Sequence, residues 1–221
     1  MTELNKHSSF QRRILPALLR VFFYLLYNQF AWIYDWFAGI VSIGKWKGWV
    51  LTVLPYLNGH RILEMGHGPG HLQLELQKKN VEVVGLDRSY HMGRVAFKRM
   101  KSTGFLPLLV NGYAQLLPFA DQVFNQVVAT FPTEYILDLV TLNEVWRVLA
   151  PGGALVVIPV AWITGNRWFE RMAAWLFRFS GQAPEWDDHT LEPVRTAGFK
   201  VQVERQSSNS SEILIVLAQK P

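Results

Sequence analysis

The sequence predicts an α/β fold, a doubly wound and mostly parallel sheet of seven strands. A helical arm precedes it and a helical insertion follows the fifth strand. Three observations predict this. From Arg61 to Val160, short β-branched runs alternate with helix-like segments, the pattern of a parallel sheet covered on both faces. Two of the early runs end at acidic residues, Glu64 and Asp87, beside turn-forming residues, which is where such sheets bind ligands. Finally, Phe199–Arg205 and Glu212–Gln219 read as strands joined by Ser207–Ser211, a hairpin that adds an antiparallel edge.

Composition bounds the rest. The 221 residues suffice for one full core with an appendage. Half are hydrophobic, nine are Trp and only 18% are charged, a low share for a globular domain. The absence of cysteine excludes disulfides, thiolate catalysis and Cys-ligated metal, and no metal site is expected. A formal charge of +5 suits an anionic partner. The arginines lie among Trp and Phe rather than in a basic tract, so an acidic membrane leaflet is favoured over nucleic acid, which is not expected as a partner.

Taken in order, residues 1–57 form the arm. Its run from Leu18 to Phe37 is rich in Phe, Tyr, Trp and Leu, but Arg20, Asn28, Gln29 and Asp35 interrupt it. It therefore reads as two or three helices on the domain or on a bilayer surface, not as a span. Residues 58–221 form the sheet domain. Arg61–Met65 is its first strand, followed by a turn with glycine at Gly66, Gly68 and Gly70 and a helix over His71–Lys79. A strand over Val81–Asp87 leads into a helix capped by Ser89 that runs to Lys101. Strands over Pro107–Val110 and Val123–Thr130 follow, then a helix over Leu137–Leu149 closed by Pro151-Gly152-Gly153 and a strand over Ala154–Val160. In the insertion, residues 161–185, helical spacing gathers Trp168, Met172, Trp175, Leu176 and Phe179 on one stripe beside Arg167, Arg171 and Arg178. A helix over Thr190–Ala197 ends at Gly198 before the hairpin.

The turn carries the chemistry. Glycine lets the backbone enter strained turns and lets a ligand approach it closely. A dinucleotide fingerprint would read G-x-G-x-x-G, but here Gly70 comes one position early. Glu64-x-Gly66-x-Gly68-x-Gly70 instead resembles motif I of the class I S-adenosylmethionine (SAM) methyltransferases. Further segments resemble the quinone- and phospholipid-methyltransferase branch of that family: Asp87-Arg88-Ser89-Tyr90-His91-Met92, the run Gly112 to Asp121, and Glu144-Val145-Trp146-Arg147-Val148-Leu149-Ala150-Pro151-Gly152-Gly153. The Tyr34-Asp35 pair followed by Trp46-Lys47 resembles its lead-in. The resemblance implies a Rossmann-like fold with SAM as cofactor. It implies cofactor contacts at Glu64, Gly66, His67, Gly68 and Gly70, with Asp87 on the ribose hydroxyls and Arg88 and Met92 beside it. Tyr113 and Ala114 would meet adenine, and Thr130 the sulfonium side. Tyr113 stands where the family has an acid, and Asn125 where it often has Asp.

What the resemblance implies is transfer of a methyl group from SAM to a small lipophilic acceptor, a quinone precursor or a phospholipid headgroup, with Tyr34 and Phe131 on the acceptor side. No catalytic acid or base is assigned, because an activated sulfonium chiefly needs alignment and exclusion of water. A non-catalytic adaptor that kept the scaffold is the alternative, since fold alone does not make an enzyme. The expected location is the cytoplasm, with the aromatic segments either a lid or a peripheral contact with the inner membrane face.

Overall fold

The structure, a computed structural model, describes residues 45–165, 186, 188–208 and 210–221. Tyr34 and the aromatic stripe of the insertion lie outside the described residues. The arm enters as helix α1 (Trp46–Leu51) and a 3-10 turn over Leu54–Tyr56. Strand β1 (Arg61–Met65), helix α2 (His71–Lys78), β2 (Glu82–Asp87), α3 (Tyr90–Lys101), β3 (Leu108–Asn111) and β4 (Phe124–Thr130) follow. Then come α4 (Leu139–Val148), β5 (Leu149–Ile158), β6 (Ala161–Ile163), α5 (Glu192–Thr196), β7 (Lys200–Ser208) and β8 (Ser211–Gln219).

Strands β3, β2, β1, β4 and β5 are parallel neighbours in that order, and β8 joins β5 antiparallel. One edge of β8 pairs with β7 along its whole length. Its other edge pairs with β5 at Val216–Gln219 and with β6 at Ser211–Ile213. The eight strands thus occupy seven lanes, with β6 continuing β5 beyond Pro159. The first residues assigned to the helical insertion, Ala161–Ile163, are therefore sheet.

Burial alternates along the strands as a doubly covered sheet requires. Ile62, Val83, Val128, Val156 and Ile215 pack with α1 and α2, whereas Leu63, Leu86, Val127, Val157 and Val216 pack with α4 and α5. The expected boundaries hold within a few residues, except at β5. It begins at Leu149, opposite Phe124, so Pro-Gly-Gly lies inside an irregular strand start instead of between helix and strand. A Cβ on Gly153 would fall 2.8 Å from the carbonyl oxygens of Ala150 and Asn125, so only glycine fits.

The amino end of the sheet is tied by satisfied polar groups. Arg147 donates to both carboxylate oxygens of Glu144 at 2.8 Å, to Asp121 at 2.7 Å and to the carbonyls of Phe119 and Leu117. Glu144 in turn accepts the Leu117 N–H. Gln126 accepts the N–H groups of Asn58 and Gly59 and donates to the Tyr56 carbonyl, fixing the arm to the foot of β4. Asn125 accepts the Arg61 N–H at this same end, so its departure from the family pattern sits far along β4 from the ligand end.

Candidate active site

Strand β1 pairs with β2 on one side and β4 on the other, while the chain between runs outward in both directions. That is the topological switch point, where a crevice opens at the carboxyl ends of the strands. A cleft lies there. Its walls are Glu64, Gly66, His67, Gly68, Pro69, His71 and Leu72 from β1, the turn and α2, Thr130 and Phe131 after β4, and Trp46 and Val50 from α1. Six residues expected at the site (Glu64, Gly66, His67, Gly68, Thr130 and Phe131) thus come together.

The turn takes its shape from glycine at two positions above all. Gly66 has φ +70° and a Cβ there would meet the Tyr135 hydroxyl at 3.0 Å. Gly70 has φ +82° and a Cβ there would meet that of Ala96 at 2.9 Å, so α2 starts flush against α3. The Asp87 carboxylate staples the turn: Oδ2 accepts the Gly68 N–H at 2.9 Å and Oδ1 accepts the Ser89 N–H at 2.8 Å. Ser89 caps α3 through the Met92 N–H, as its sequence position suggests.

Glu64 is the electrostatic centre. It is 1% exposed and its Oε2 accepts no hydrogen bond. Burial pushes its carboxyl up to about 8; the nearby Gln73 amide opposes this and the Asp87 charge adds to it. Burial pushes His67 down, against the pull of Asp87, so its ring is neutral, with Nδ1 2.7 Å from the Gly68 carbonyl. His71 Nε2 lies 3.1 Å from Arg99 Nη1. A guanidinium only donates, so that nitrogen is an acceptor. Tyr135, pushed upward by burial and by the charges of Asp87 and Glu64, keeps its proton, and its hydroxyl donates to the Met65 carbonyl at 3.4 Å.

The other wall is aromatic. Phe131 takes φ +51°, a region bulky residues enter only under constraint. Its N–H donates to the Ile158 carbonyl at 2.6 Å. Its ring lies 4.5 Å from that of Trp46 and 6.3 Å from that of Trp49.

The remaining expected residues do not line the cleft. Arg88 is exposed, Met92 is fully buried beneath Ser89, and Tyr113 is 62% exposed beside the buried Ala114. All four stand around the ends of β2 and β3, which Asn111 holds together by donating to the carbonyls of Asp87 and Arg88. Sequence reasoning missed Val50, Gln73, His71 and Tyr135 as site residues, and used Trp46 only as part of a lead-in. Gln73 and Val50 carry no signal in one sequence. His71, directly after Gly70, was open to assignment by position alone. Among the described residues, no group of acidic or histidine side chains could hold a metal ion, and no helix is long and apolar enough to cross a membrane.

Comparison with known proteins agrees with this geometry. The chain is 29% identical over 164 residues to the ubiquinone/menaquinone biosynthesis C-methyltransferase UbiE of Blochmanniella floridana, a match covering 69% of this chain and 63% of that one. It is 32% identical over 139 residues to the demethylmenaquinone methyltransferase of Thermotoga maritima, covering 60% and 59%. The chain thus spans less than two thirds of the length of these relatives. A SAM-dependent methyltransferase from Aquifex aeolicus superposes with a TM-score of 0.58 at 19% identity, covering 79% of this chain and 89% of that one; that likeness concerns the fold. The profile of the ubiE/COQ5 methyltransferase family matches residues 23–183, so it takes in part of the arm and of the insertion as well as the cleft. With that match spanning most of its length, this chain belongs to the ubiE/COQ5 methyltransferase family.

Proposed function

We propose that the chain transfers a methyl group from SAM to a planar, lipophilic quinone precursor. The observation that carries the cofactor half is Glu64: a buried carboxyl with an unpartnered oxygen, on a glycine turn, without an ion pair among the described residues. A buried carboxylate calls for a cation, and the α-ammonium of SAM is one. The turn fits as well, because Gly66 and Gly68 line the cleft beside Glu64 without a side chain to obstruct it. Asp87, fixed at the end of β2 by the Gly68 and Ser89 N–H groups, stands where the ribose hydroxyls would lie. Arg88, Met92, Tyr113 and Ala114 then surround the adenine side.

When bound, SAM supplies an electrophilic methyl on a sulfonium. The residues of this chain supply alignment and dryness. Glu64 and the turn fix the methionine end, and Thr130 and Phe131 close the far side at the carboxyl end of β4. Trp46 and Phe131 present apolar ring surface to the acceptor, which suits a flat ring system and keeps water from the reacting carbon. Neither cleft histidine is placed as a base. The ring of His67 is buried and tied to Gly68, and Nε2 of His71 already faces Arg99. The names of the relatives support a quinone precursor over a phospholipid headgroup or an adaptor.

The test is methyl-tritiated SAM with a total lipid-soluble cell extract, followed by organic–aqueous partition, with Asp87→Ala as control. Label in the organic phase, lost in the variant, is expected. Label confined to aqueous product would overturn the lipophilic acceptor, and a protein that binds no SAM would overturn the whole reading. Contact of the aromatic arm and insertion with an anionic leaflet is part of the proposal; failure to co-sediment with anionic vesicles at low salt would remove it.

A further inference from the structure

Two buried glutamines differ in a way that packing does not explain. Gln126 satisfies its amide with three backbone partners. Gln73, in the first turn of α2, is 0% exposed, yet neither its Nε2 nor its Oε1 has a partner. It lies against Glu64, whose Oε2 is also unpartnered. Space for the amide to rotate comes from Gly85 on β2, where a Cβ would fall 3.1 Å from Gln73 Nε2 and 2.9 Å from His67 Cδ2. An unpartnered buried amide is costly, so its retention beside a carboxyl needs a reason. An amide can donate to a carboxylate through nitrogen or accept from a neutral carboxyl through oxygen.

We infer that Gln73 is a positioning residue that serves Glu64 in both charge states, and that cofactor binding expels the Glu64 proton. Before the cofactor binds, the neutral carboxyl has the Gln73 amide oxygen as its acceptor once the amide turns, a bond that the rotamers in the structure leave unmade. When the α-ammonium of SAM arrives, that proton leaves to solvent, Glu64 pairs with the ammonium, and the amide turns its N–H groups to the carboxylate. The surroundings favour the neutral form before binding. Asp87 faces Glu64 from β2, neutral His67 from the turn and Tyr135 from the loop after β4, whereas α1 offers only Trp46 and Val50. The inference rests on the SAM reading above.

Calorimetric titration with SAM and with S-adenosylhomocysteine, in two buffers of different ionisation enthalpy at about pH 6.5, counts the protons released. Wild type should release close to one proton with either ligand, since both keep the ammonium and only SAM has the sulfonium. Glu64→Gln should release none. In Gln73→Leu the carboxylate loses its donor in the complex, and also in the free enzyme once the pH exceeds that of Glu64 ionisation. Affinity should therefore fall about five-fold at pH 6.5, the difference between a hydrogen bond to a charged group lost in the complex and a neutral one lost in the free enzyme, and barely change near pH 9. A loss equal at every pH would make Gln73 a packing residue and overturn its role. SAM binding in wild type without proton release would overturn the inference while leaving the cofactor reading intact. No binding of either ligand would overturn both.

Discussion

The two ends of the sheet use the same residue types to opposite ends. At the amino end, Glu144 is held by Arg147 and the Leu117 N–H, and these bonds keep its carboxyl below the usual range. At the carboxyl end, Glu64 is buried without a cation and its carboxyl is pushed up. Gln126 has three partners and Gln73 none. Phe131, a bulky residue held at positive φ, also stands at the carboxyl end. The polar groups satisfied within the chain tie down the amino end, whereas at the carboxyl end Glu64 and Gln73 keep buried atoms without a partner. The family segments at the two ends are equally specific in sequence, and only the hydrogen-bond inventory separates their roles.

The comparison breaks first at Arg147. Arg147→Leu removes the Glu144 pairs and strands the carbonyls of Phe119 and Leu117. A fully buried pair would cost about 3–5 kcal/mol when broken. The guanidinium side chain is 31% exposed, so roughly 2 kcal/mol is expected by urea denaturation, with SAM affinity unchanged in the folded fraction. A loss of affinity without a loss of stability would reverse the assignment of the two ends.

Glu64→Gln should act with the opposite sign. In the free protein the carboxyl binds its proton more tightly folded than unfolded. Its contribution to stability is therefore complete below the ordinary glutamate range and is lost as pH rises to about 8. The variant should lack this decline and exceed wild type by roughly 1–3 kcal/mol above that pH, while binding SAM at least ten-fold more weakly. Glu144 makes the control: its pKa is depressed, so its contribution is present at neutral pH and lost as pH falls below the ordinary glutamate range. Denaturation curves at several pH values separate the two.

Gly70→Ala should affect both readouts. The left-handed backbone alone costs about 1–2 kcal/mol for a residue with a Cβ, and contact with Ala96 adds to it. Because α2 must then draw back from α3, SAM affinity should fall with stability. An affinity that survives in the folded fraction would mean the turn is shaped by Asp87 alone.

Most of the frame was legible in the sequence because it rests on local patterns: strand runs, the glycine turn, the Ser89 cap and the Gly198 stop. Six of the expected site residues meet in the cleft because a parallel sheet collects the ends of its strands in one place. What escaped depends on contacts between distant segments. Gln73 looks like any polar residue on a helix until Gly85 and Glu64 are seen beside it. Trp46 reaches the site only because Gln126 and Tyr56 pin the arm to the foot of β4 while α1 leans toward Phe131. Pro-Gly-Gly was read as a helix stop because its pairing partner, Phe124, lies in another strand. Asn125, a departure from the family pattern, sits at the opposite end of the sheet from the site.

Tyr113 offers the smallest and sharpest effect. It occupies the place of the family's acidic residue and is 62% exposed, so its ring adds little to the core and Tyr113→Asp should change stability by no more than about 0.5 kcal/mol. Its backbone is nonetheless well placed, because Gly112 donates to the Asp87 carbonyl and sets the chain down beside the ribose-side carboxylate. A carboxylate there would accept from the exocyclic amine of adenine. At a solvent-exposed position such a bond is worth about 0.5–1.5 kcal/mol, so SAM affinity should rise a few-fold. The ends of the sheet would then differ even at their surface, since the same substitution at exposed Asn125 should leave affinity untouched. Equal responses at the two positions, measured by titration calorimetry, would mean that the adenine does not reach Tyr113 and that Ala114 holds that side of the cofactor alone.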